Sequence, residues 1–179
     1  MKNDKKLLKM ILAAFFLALA YVMPFLTGQI PKIGAMLCPM HLPVLLCGFV
    51  CGPVWGAVVG LVAPLFRSLV LGMPPLFPAA FCMAFELAAY GAASGLMHRL
   101  LPRKRPYIYC SLLAAMTAGR LVWGAVMFLC LGAVGGSFTF SAFLAGAVTN
   151  AIPGITVQIV FVPLLVMLID DPRSLNSGD

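Results

Sequence analysis

Residues 38–75 read CPMHLPVLLCGFVCGPVWGAVVGLVAPLFRSLVLGMPP, and the number of times this stretch crosses a bilayer decides the topology of the chain. It starts and ends in proline-rich turns and holds one formal charge, Arg67. Glycine recurs at positions 48, 52, 56 and 60. That spacing is close to one helical turn, so these glycines share a face where another backbone can approach closely. His41 to Leu71 is 31 residues, roughly 46 Å as one helix. That is too long for a hydrocarbon core of about 30 Å and short for two spans of about 20 residues each. Charge decides between them. One basic cluster, Lys2, Lys5, Lys6 and Lys9, precedes the stretch, and another, Arg99, Arg103, Lys104 and Arg105, comes after it. Two crossings put both clusters on the cytoplasmic side, whereas one crossing would separate them. The sequence therefore predicts two short or tilted spans, 41–52 and 54–71, turning at Gly52-Pro53.

The remaining composition agrees with a membrane protein. The chain of 179 residues is 63% hydrophobic and 9% charged, against about 45–50% and about 25% in soluble domains. Its mean hydropathy is +1.06. The net charge of +7 resides largely in the two clusters beside apolar runs, which reads as a topology signal and excludes a nucleic-acid surface. Further helices are expected at 7–23, 77–98, 107–131 and 140–169. The predicted fold is an all-α integral membrane bundle of six transmembrane helices in a single domain, with both termini cytoplasmic. A loop over 24–40 folds partly back into the bundle. Ala14 and Ala18 form a small-xxx-small pair on the first helix, a face where another helix can pack. The six cysteines lie mostly inside apolar runs and read as small hydrophobes. No disulfide, metal or cofactor is expected, although Cys38, His41 and Cys47 could be drawn as a zinc site.

Ionisable residues inside spans are costly and point to function or internal pairing. Here they are Arg67, Glu86 and Arg120, accompanied by Asn150, Gln158 and, at a boundary, His41. Counted from the outer helix ends, Glu86 and Asn150 lie roughly 14–15 Å deep, Arg120 roughly 17 Å and Arg67 about 6 Å. Tyr90 and Trp123 stand one turn from Glu86 and Arg120. Each has a structural reading: Glu86 and Arg120 as a mutual pair, Arg67 snorkelling to headgroups, Asn150 and Gln158 bonding neighbouring helices, Tyr90 and Trp123 as packing. The functional reading is a small-molecule pocket opening outward. If Arg67, Glu86 and Arg120 share one cavity, two positive charges and one negative sum to +1, which favours a small anion such as a carboxylate. GxxxxGK[ST], HExxH and GxSxG are all absent, so neither a Walker ATPase nor a hydrolase is expected.

The basic start leading into Ala14-x-x-x-Ala18, the six short helices and the long loop after the first resemble the substrate-binding (S) subunits of energy-coupling factor (ECF) vitamin transporters. Pro39-Met-His-Leu-Pro-Val-Leu-Leu-Cys-Gly, Arg67-Ser-Leu, Gly72-Met-Pro-Pro-Leu-Phe-Pro and Phe85-Glu-Leu are similar to the branch of riboflavin, folate and pantothenate binders, the pantothenate type above all. The resemblance covers nearly the whole chain. It implies a non-enzymatic subunit of the bacterial plasma membrane that captures a vitamin from outside. Delivery then passes through an ECF module, a transmembrane coupling subunit with two ATPases that hydrolyse ATP. It also implies that Ala14 and Ala18 face the coupling subunit. The pocket would take Glu86, Tyr90, Arg120, Trp123 and Asn150 from the later helices, joined by Arg67 and His41, and Gln29 or Lys32 from the loop acting as a lid. Pantothenate, with one carboxylate, matches the charge sum; riboflavin, folate or a pyridoxine-type vitamin is the alternative. A stand-alone secondary carrier is the other reading, although it would call for internal repeats or oligomerisation to make a two-sided path.

Overall fold

A computed structural model describes residues 2–27, 37–102, 104–133, 135–136, 139–147 and 149–169. Seven α-helices stand among them: α1 (Lys2–Val22), α2 (His41–Cys51), α3 (Pro53–Leu71), α4 (Phe81–Leu100), α5 (Arg105–Ala133), α6 (Phe140–Ala147) and α7 (Ile152–Ile169). Five of them, α1, α3, α4, α5 and α7, are long and apolar enough to cross a membrane.

α2 is the exception and organises the rest. At 11 residues it is roughly 16 Å long, about half of a hydrocarbon core. Nine of those residues are buried, because α1, α3, α4 and α7 all pack against it. The expected span over 41–52 is therefore a half-length helix inside the bundle. Its end is set by Gly52, whose φ of 99° lies in the region that favours glycine, and by Pro53 at the first turn of α3. The chain reverses there: Gly48 and Gly56, four residues either side, come together and both rest on the carbonyl of Gly91 in α4. Gly60 meets the Leu87 backbone one turn along. The glycine spacing thus serves two antiparallel helices packed backbone-to-backbone on α4, with Gly52 as the break between them.

Two other expectations need correction. The helix predicted over 140–169 is broken: α6 ends at Ala147 and a tight turn over Thr149–Ala151 precedes α7. Pro153 is the cause, since it lacks an N–H and its ring crowds the carbonyl four residues back. The helix predicted from 77 starts at Phe81. Before it comes a wide turn over Leu76–Ala80, with Phe77 extended (φ −122°, ψ 135°) between Pro75 and Pro78.

Lys9 near the start of α1, Gly52, Arg99 at the end of α4 and Ile169 at the end of α7 line one cavity. Both ends of the described chain therefore lie at the same end of the bundle, together with Lys9 and Arg99. From that level, α2 climbs to His41 at roughly half the membrane depth.

A buried polar cluster at the start of the half-length helix

Because α2 begins in mid-bundle, its first residue, His41, is 2% exposed rather than interfacial. The positive end of a helix dipole faces the interior at this point. Glu86 of α4, also 2% exposed, lies opposite: its Oε1 is 3.3 Å from His41 Nε2 and 2.9 Å from Arg120 Nη1 of α5. Tyr90, one turn after Glu86, is fully buried and meets the His41 ring edge-on, with centroids 5.0 Å apart. Its ring fits because residue 119 is glycine; a Cβ there would run into it. Cys38, just before α2, places its Sγ 3.7 Å from Arg120 Nη2, a weak acceptor for a strong donor. Its backbone has a φ of 48°, uncommon for a side chain with a Cβ.

The cluster has charge at contact distance but incomplete hydrogen bonding. His41 Nδ1 and Nε2, Glu86 Oε1, Tyr90 Oη and Arg120 Nε have no aligned hydrogen-bond partner among the described residues. Neither have Nε2 and Oε1 of Gln158, which is 1% exposed on α7. Counted from Ile169, Gln158 sits roughly 16 Å up its helix, level with His41 counted from Gly52. A buried polar atom left unmatched costs about 1–3 kcal/mol, so several at one depth mark a place where polar chemistry is held for a use. The charges of the pair sum to zero, one arginine against one glutamate, before the dipole of α2 is added.

Of the residues predicted for a pocket, His41, Glu86, Tyr90 and Arg120 come together. Trp123 stacks on Phe143 at 6.2 Å between α5 and α6. Asn150 lies in the turn before α7. Gln29 and Lys32 fall outside the described residues. Arg67 is neither snorkelling nor beside Glu86. It is 4% exposed, its Nη1 donates to the Tyr21 carbonyl at 2.9 Å and its guanidinium lies 5.1 Å over the Phe25 ring. Tyr21 O lies in the last turn of α1, just before a tight turn over Met23–Thr27, so Arg67 holds the carbonyl end of that helix with a charge-assisted bond. Arg67→Met is expected to cost about 1.5–3 kcal/mol, read as a lower melting temperature in detergent with ligand affinity kept. Lost affinity at unchanged stability would return Arg67 to the pocket. Sequence reasoning does not place Gly119 in this cluster, and it joins Cys38 to His41 only as a zinc site. Gln158 carries a usable signal, since its depth along α7 matches that of His41.

Comparison with protein-family models matches residues 8–166 to the family described as ECF transporter, substrate-specific component. Comparison with curated proteins gives no match, and comparison with solved structures gives none. The matched region runs from the first third of α1 to the last turn of α7 and takes in the buried polar cluster. This multi-pass membrane chain belongs to the family of ECF transporter substrate-specific components.

Proposed function

We propose that the chain is the vitamin-capturing subunit of an ECF-type importer in a bacterial plasma membrane, binding a small anionic vitamin with high affinity and doing no chemistry on it. Pantothenate is the first candidate. The observation that carries this reading is the set of buried polar atoms on His41, Tyr90 and Arg120, unmatched among the described residues, around the Glu86 carboxylate. In it Arg120 receives the ligand carboxylate through its fork of N–H donors. Glu86 fixes the guanidinium and accepts from a ligand hydroxyl or amide. Tyr90 and His41 supply further hydrogen bonds, and the positive end of α2 favours the anion. Asn150, Trp123, Gln29 and Lys32 complete the pocket in this reading, with 24–40 as its lid.

Delivery requires the coupling subunit and its two ATPases. Ala14 and Ala18 lie on the exposed face of α1, opposite the buried Ala13, Phe16 and Ala20, which suits a face kept for a partner helix. In proteoliposomes the chain alone is expected to bind labelled vitamin without accumulating it. Adding the ECF module and ATP gives uptake, and Ala18→Leu lowers that uptake at least tenfold while binding persists. Uptake by the chain alone would instead establish a stand-alone carrier.

A further inference from the structure

At the other end of α2 from the polar cluster, a cavity of about 270 Å³ opens among α1, α2, α4 and α7. Its basic side is Lys9 and Arg99, with His98 beside them; its apolar side includes Phe49, Val166 and Ile169. These side chains are held in place. The His98 ring stands edge-on to Phe49, centroids 5.1 Å apart. The Arg99 guanidinium lies against Gly52, where any Cβ would displace it. Lys9 is half-buried, although it stands in a stretch of α1 that is otherwise exposed.

The cavity lies where α2, α4 and α7 end, so it is at headgroup depth. Its volume is small for a whole vitamin-sized ligand. Lys9 and Arg99 give it a formal charge of +2 with His98 neutral. Apolar neighbours of the lining residues, Leu8, Leu100 and Leu168, are 56%, 67% and 71% exposed, offering surface for acyl chains beside a charged recess. Basic recesses between transmembrane helices at this level suit phosphate-bearing headgroups. The geometry points to a binding site for one anionic phospholipid, its phosphate held by Lys9 and Arg99 and its glycerol against Phe49 and Ile169. This site is separate from the pocket proposed above and does not depend on that reading.

The competing occupant is the chain itself, since Asp170 and Asp171 come directly after Ile169. The test uses the full chain in mild detergent, with native mass spectrometry against short-chain phosphatidylglycerol, phosphatidylcholine and inorganic phosphate. One phosphatidylglycerol per chain is expected to be retained at least tenfold better than phosphatidylcholine. Lys9→Gln with Arg99→Gln removes that preference, and Lys9→Gln alone, which leaves Arg99 on Gly52, weakens it severalfold. Equal retention of the two lipids, or a preference unchanged in both variants, overturns the site. Displacement of the lipid by millimolar inorganic phosphate overturns the lipid as its occupant. Retention only after Asp170→Asn with Asp171→Asn assigns the recess to the tail and overturns it too.

Discussion

Arg120→Ala is expected to abolish ligand binding and also to destabilise the protein by about 3–5 kcal/mol, because it leaves Glu86 charged and buried without its partner. The two effects are separable. Glu86 is 2% exposed and its Oε1 lies 2.9 Å from Arg120 Nη1, so most of the stability loss comes from the stranded carboxylate rather than from the lost contact. Replacing both, as Glu86→Gln with Arg120→Gln, removes both charges together. That variant is expected to recover most of the melting temperature and none of the affinity. His41→Gln keeps a hydrogen-bonding group at the start of α2 and is expected to lower affinity without the stability cost. Calorimetry beside thermal melts reads both quantities. If the double variant bound as tightly as the parent, the pair would be a structural neutralisation and the pocket would lie elsewhere.

Gly91→Val is expected to leave no folded protein, a cost above about 4 kcal/mol that only a few mechanisms produce. A Cβ at residue 91 would run into the Gly56 backbone, and that backbone belongs to the reversal between α2 and α3. Backbone cannot yield as a flexible side chain can. The same bulk at Gly56 meets the Gly91 carbonyl, so Gly56→Val fails for the same reason. Gly132 is the control: a Cβ there has nothing within 4 Å, and alanine is the better helix former by about 1 kcal/mol. Gly132→Ala is expected to fold with an unchanged or slightly higher melting temperature. Monodisperse elution from size exclusion, with helical circular dichroism, distinguishes the three. A well-folded Gly91→Val would mean that α2 and α3 do not rest on α4 through their backbones.

The turn at Gly52-Pro53 is legible in the sequence because glycine and proline carry local rules that operate without tertiary context. The pairing of Glu86 with Arg120 is legible from the cost of isolated charge in a span. The depth of α2 is not. Its 11 residues are as apolar as those of α3 beyond the turn, and periodicity does not say how far a helix starts from the bilayer surface. For that reason the sequence puts His41 at a boundary, whereas the fold puts it in mid-bundle. Arg67 misleads for a related reason. A count along one helix gives depth but not the neighbour, and the neighbour is the carbonyl end of α1. The break at Ala147–Ile152 has a local signal in Pro153, whose ring disfavours a regular turn before it; the uniform hydrophobicity of 140–169 masks it.

If His41, Glu86, Tyr90 and Arg120 hold a small anionic vitamin without ATP or partner subunits, the gently purified chain should carry one. Native mass spectrometry of that preparation, then calorimetry with a panel of vitamins, tests this most directly. The predicted result is one bound molecule per chain, carrying a carboxylate, lost in Glu86→Gln with Arg120→Gln; a mass matching pantothenate would name it. A neutral vitamin would keep the binding role and discard the anion. No ligand from the whole panel, with the protein folded, would contradict the binding role itself.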